Sequence, residues 1–132
     1  MKFEDQLKNA FEKATKNAHR RVVRAALKGF EKINEWSPVD QGTFRANWNV
    51  SFGELDRSFD LDLTKDDIAT NTATAMAKIT NDTKLGTTVY ISNSVPYAIP
   101  LENGHSWQQA PHGIVAPTLR FLQNAIDAGR LK

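Results

Sequence analysis

Three histidines and fifteen carboxylates are the side chains with which this chain could attempt acid–base or metal chemistry. His105 and His112 stand seven residues apart in a stretch rich in Pro and Gly, just after Glu102. A catalytic zinc takes three such donors and keeps an open position. A spacing of seven between histidines in an irregular segment matches no ligand motif, so both read as solvent-facing or hydrogen-bonded, as does His19. Asp60 and Asp62 stand two apart, as a pair of carboxylates would on one strand face. A solvated acidic edge that discourages strand-to-strand pairing explains them better than a glycosidase-type pair. Cys is absent, which removes thiol catalysis, disulfides and cysteine-ligated metals. No nucleophile elbow, phosphate-binding Gly loop or H-E-x-x-H pair occurs. Neither an enzyme nor a cofactor is expected, and a hydrolase using His105 and His112 stands only as a rival that bound zinc would favour.

Charge offers a second kind of chemistry. The net charge is only +2, but residues 1–36 carry nine Lys/Arg against five Asp/Glu, a balance of +4. Residues 53–67 carry six Asp/Glu against Arg57 and Lys65, a balance of −4. Arg20, Arg21 and Arg24 cluster in the basic part, where they could hold phosphates with a strong salt dependence. Aromatics interleaved with them, as single-strand platforms need, are missing. Opposite patches also suit head-to-tail packing of copies. The basic helix meeting the acidic edge of a neighbour is therefore the expected pairing, with a small nucleic-acid-binding module as the rival.

The elements that must position these residues are legible in the periodicity. Phe3, Leu7, Phe11, Ala14, Ala18, Val22, Ala25, Gly29 and Ile33 recur at steps of three and four, which predicts one long, nearly straight helix. Ser37-Pro38 ends it. About 30 residues at 1.5 Å each give roughly 45 Å, more than the ~30 Å diameter of a compact domain this size, so part must project or pack on another subunit. Phe44, Ala46, Trp48, Val50 and Phe52 then alternate with polar residues, which predicts a half-buried strand. A competing reading makes Asp40 the N-cap of a helical turn through about Ala46, with the strand starting there. Gly53–Asp56 reads as a turn into a second strand with Phe59, Leu61 and Leu63 on one face.

Thr64-Lys65-Asp66-Asp67 resembles a capping box and opens a helix over about 65–80. Thr88–Ser92 reads as a short strand with Val89 and Ile91 on one face. Residues 93–114 read as a long irregular loop, more often functional than idle. Pro117 opens a last helix with Leu119, Leu122 and Ile126 inward and Phe121 beside them. Trp48 is expected in the core, Trp36 closing the first helix against the hairpin, and Trp107 as an interface anchor. At 132 residues, 40% hydrophobic and 24% charged, the chain reads as one soluble α+β domain over residues 1–132. Its elements are a long N-terminal helix, an antiparallel sheet of three or four strands, a middle helix and a C-terminal helix. No apolar run follows Met1, so no secretory leader is expected, and none is long enough for a membrane span.

Two stretches carry a resemblance. The first is Ser37-Pro38-Val39-Asp40-Gln41-Gly42-Thr43-Phe44-Arg45-Ala46-Asn47-Trp48, following the long helix. The second holds Val89–Asn93, Pro96-Tyr97-Ala98, Leu101-Glu102-Asn103-Gly104-His105-Ser106 and Gln109–Val115, with Pro111, His112 and Gly113. In this order they resemble the small neck or tail-completion proteins of tailed bacteriophages, akin to the minor tail protein Z of phage lambda. The resemblance covers most of the chain.

It implies a structural virion protein that completes the tail end and mediates head–tail joining, as a ring that is hexameric by family resemblance. The implied partners are its own copies and the connector or stopper, terminator and tail-tube proteins. No membrane is implied, nor nucleic acid beyond DNA passing through the channel. The implied location is the virion neck, and the host cytoplasm during assembly. A tail terminator in the adjacent layer is the related alternative. Arg20, Arg21, Arg24, Asp40, Tyr97, Glu102, His105, Trp107, Pro111 and His112 are then interface candidates. Pro38, Gly42, Asn93, Pro96, Gly104 and Gly113 shape turns. Trp107 and His112 depart from the small or varied residues expected at their positions.

Overall fold

A computed structural model describes residues 2–103 and 113–130. Helix α1 runs Phe3–Glu35, about 50 Å at 1.5 Å per residue. Only Gly29, Phe30, Ile33 and Asn34 near its C-terminal end are buried. The apolar stripe continues toward the N-terminus in the open, with Phe3 75% and Phe11 65% exposed. The helix stops where Pro38 and the Ser37 side chain take over. The Ser37 hydroxyl donates to the Ile33 carbonyl at 2.6 Å and accepts the Trp48 indole N–H at 2.7 Å.

A four-residue helix, α2 (Thr43–Ala46), precedes strand β1 (Asn49–Phe52). The alternation from Phe44 therefore starts as a helical turn, as the competing reading had it. Phe44 and Trp48 are four apart, a spacing that also suits a helix, and their rings meet edge-on at 5.6 Å. Asp40, however, is exposed and does not cap α2. Gly42 does, at φ +89°, with no side-chain cap bond.

β1 pairs with β2 (Val89–Ser92) in a two-stranded antiparallel sheet. The register sets Val50 against Ile91 and Phe52 against Val89. The expected strand over 59–63 does not form, so the sheet has two strands among the described residues rather than three or four. The outward side chains of the sheet explain why. Asn49 Nδ2 donates to the Ser58 carbonyl at 2.8 Å, and Ser92 Oγ to the Asp56 carbonyl at 2.8 Å. Asn47 exchanges two bonds with the Asp60 backbone at 2.8 and 2.9 Å. Side chains, not a ladder, satisfy the backbone of 56–60, and the apolar alternation there leaves Leu61 exposed.

Helix α3 (Lys65–Asp82) opens on a full capping box, the Thr64 hydroxyl and the Asp67 carboxylate each accepting from the other's end. Short helix α4 (Ala98–Glu102) occupies part of the stretch expected to be irregular throughout. Helix α5 (Val115–Asp127) packs on α1 through a face that keeps Leu122, against Gly29, but is otherwise rotated from the expected one. Thr118 and Ala125 are buried, and Phe121 meets Trp36 edge-on at 6.2 Å. Leu119 and Ile126 point outward. Trp36 therefore closes α1 against α5, not against the sheet. The core gathers Phe30, Ile33, Phe44, Trp48, Val50, Ala75, Ile79, Val95 and Ile114.

The accessible surface is 8681 Å². A compact monomer of 14.8 kDa exposes about 7,000 Å² on the usual mass scaling. A helix of about 50 Å whose N-terminal half is open is one source of the difference.

Candidate functional site

The two resemblance-carrying stretches meet in space. Arg45 on α2 reaches back to the open end of α1, its guanidinium donating to the Ser37 carbonyl at 2.7 and 3.2 Å and to the Glu35 carbonyl at 2.9 Å. A cation there satisfies orphan carbonyls and sits favourably at the negative end of the helix. Burial pulls its pKa down from the ordinary value while Glu35 pushes it back. Asn93, just past β2, donates from Nδ2 to the Phe44 carbonyl at 2.8 Å. Tyr97 packs obliquely on Phe44 with ring centroids 6.3 Å apart, beside Thr43. Burial raises the pKa of its phenol, and the neighbouring Thr43 side chain opposes the shift. Pro96 follows the buried Val95 in the turn leading to α4. Pro38 is itself buried at the stop of α1.

Gly42 serves this junction by having no side chain. A Cβ there would run into the Lys65 backbone, whose N–H donates to the Gln41 carbonyl at 3.1 Å. Gly42 thus lets the end of one motif lie against the start of α3.

Glu102 has a defined task inside the chain. Its carboxylate accepts the backbone N–H groups of Ile114 at 2.8 Å, Val115 at 2.7 Å and Ala116 at 3.2 Å. It caps α5 from twelve residues upstream, where negative charge meets the positive end of the helix. Gly113, at φ +82°, makes room, because a Cβ there would strike the Glu102 carbonyl and carboxylate. Glu102 and Gly113 thus hold the end of α4 against the start of α5. Gly104, His105, Trp107, Pro111 and His112 lie between those ends, outside the described residues. Among the described residues no group of three His, Cys, Asp or Glu could hold a metal.

The basic candidates separate. Arg20 and Arg24 line an open groove where α1 crosses the end of α3, joined by Lys16, Lys84, Val23 and Leu85. Arg21 is exposed on α1 but does not line it. His19 fixes the crossing, Nε2 donating to the Thr83 carbonyl at 2.8 Å. Lys84 stands sixty residues from the arginines, and no local pattern in the sequence joins them. Among the described residues no helix is long and apolar enough to cross a membrane. Comparison with protein-family models, curated proteins and solved structures returns no match.

Proposed function

We propose that the chain is a structural component of a tailed-phage virion, completing the tail end and mediating head–tail joining in the neck. The observation that carries the reading is the ordered motif series, from S-P-V-D-x-G through N-x-x-P-Y-A and L-E-x-G to the closing glycine. In this fold its described members brace one another: Asn93 on Phe44, Tyr97 on Phe44, Glu102 on the start of α5. A frame whose motif residues brace one another suits a part that works by contact with its neighbours.

The uncovered surface supports assembly as a ring. A subunit touching two neighbours commits about 800 Å² to each at standard interface size, and the open apolar stripe of Phe3, Leu7 and Phe11 on α1 is surface available for such a contact. The proposed partners are copies of the chain and the neck proteins above and below, with DNA passing through the channel. Its place is the virion, and the host cytoplasm during assembly.

Electron microscopy of lysates from a phage or prophage with this gene interrupted tests the role. Filled heads beside separate, full-length tails are the expected result, whereas joined, infectious particles would sink the reading. Abnormally long tails would assign the chain to the terminator layer. A second reading, a nucleic-acid-binding module, is favoured by the cationic groove alone and predicts salt-titrated binding to short duplexes.

A further inference from the structure

We propose that the groove between α1 and the end of α3 seats the acidic 54–62 segment of a second copy of this chain. This deepens the ring reading and rests on it for the number of copies that close. Four cations line the groove, Lys16, Arg20, Arg24 and Lys84, with Val23 and Leu85 supplying apolar surface and no carboxylate among the lining residues. The ion pairs recorded on α1 lie further along, Lys28 with Glu31 and Lys32 with Glu35. No ion pair neutralises the groove among the described residues.

An occupant must bring carboxylates and apolar side chains in one short stretch, and the chain carries such a stretch on another face. Glu54, Asp60 and Asp62 are exposed there, and Leu55, Phe59 and Leu61 are exposed among them at 44, 46 and 53%. Apolar side chains left in water on a segment that carries four carboxylates call for a partner that satisfies both. The segment is already held in shape. Asn47, Asn49 and Ser92 pin its backbone to the sheet, so little ordering entropy opposes docking. Duplex DNA would meet the cations but leave Val23, Leu85 and the whole acidic segment unanswered, so the second copy is the better fit. Groove and segment are different surfaces, which makes the contact head-to-tail and able to close a ring.

The chain has no cysteine, so single-cysteine variants report cleanly. Leu85→Cys and Phe59→Cys, purified separately at full length and oxidised together, are expected to trap a dimer containing one of each, while neither alone does so. Arg20→Glu with Arg24→Glu in the first variant should lower the trapped yield about tenfold, and Glu54→Lys with Asp62→Lys in the second should restore it. These positions are exposed, and circular dichroism confirms that each variant folds.

Absence of the mixed dimer, or equal trapping of each variant alone, overturns the seat. If the native chain also binds duplex DNA and Arg20→Glu with Arg24→Glu abolishes that binding, the groove belongs to nucleic acid. A mixed dimer with joined particles from the gene-interrupted phage would keep the seat and remove the neck role. Unjoined heads and tails without the dimer would do the reverse.

Discussion

The carboxylate of Glu102 receives three amides at the start of α5, and each bond is charge-assisted and aligned with the helix dipole. Glu102→Ala should therefore cost about 2 kcal/mol, a fall of roughly 5–10 °C in Tm. Glu102→Gln should recover part of it, and thermal unfolding followed by circular dichroism reads both. Asp56 gives a pH-dependent counterpart. The Ser58 hydroxyl and then the Ser58 amide donate to its carboxylate and hold its pKa below the ordinary value. The stability this adds is present above the unfolded pKa and is lost as pH falls through the lower folded one. The Ser58 amide resonance should accordingly titrate with a midpoint below that of an unperturbed aspartate, and Asp56→Asn should flatten the curve. Pro38 and Gly42 were legible as a stop and a turn, because their constraints are local. Glu102 was not, because the groups it caps are twelve residues away and nothing in its neighbourhood announces them.

A single apolar stripe runs the length of α1, yet the described residues cover only about its C-terminal half. The element is thus two things joined end to end, a core helix around Phe30 and Ile33 and an uncovered helix around Leu7 and Phe11. Replacing Phe3, Leu7 and Phe11 by serine should leave folding stability within about 0.5 kcal/mol per site, while Phe30→Ala should cost about 3–5 kcal/mol. Denaturant unfolding separates the two, and amides near Phe11 should exchange faster than those near Phe30.

Periodicity made α1 legible because one stripe dominates it. In α5 the expected stripe is right in part: Leu122 lies against α1 and Phe121 against Trp36, whereas Leu119 and Ile126 are exposed and Thr118 and Ala125 take the buried places. Bulk alone favoured Leu119 and Ile126 over two smaller residues. The approach to α1 is close, since a Cβ on Gly29 would stand 3.2 Å from Leu122 Cδ1. Alternation over 59–63 misled for another reason. Period two describes side chains but says nothing of whether a strand offers a ladder, and here Asn47, Asn49 and Ser92 took the backbone bonds instead.

At the scale of the whole molecule, a charge balance of +4 over residues 1–36 is set against −4 over residues 53–67, and Phe3, Leu7 and Phe11 stand exposed on α1. These two facts give assembly distinguishable signatures. Contacts through the groove are electrostatic, so raising salt from about 0.1 M to about 1 M, which shortens the screening length from ~10 Å to ~3 Å, should weaken self-association measured by sedimentation. Contacts through Phe3, Leu7 and Phe11 are apolar and should survive the same change or strengthen. Sedimentation of the native chain beside Arg20→Glu with Arg24→Glu, and beside Leu7→Ser with Phe11→Ser, then apportions the surface. A salt-sensitive series extending past the dimer requires the head-to-tail seat, since a two-fold pairing stops at two. A salt-insensitive dimer abolished by Leu7→Ser with Phe11→Ser would place the association on α1 alone, and the groove would then stand free for an anionic partner of another kind.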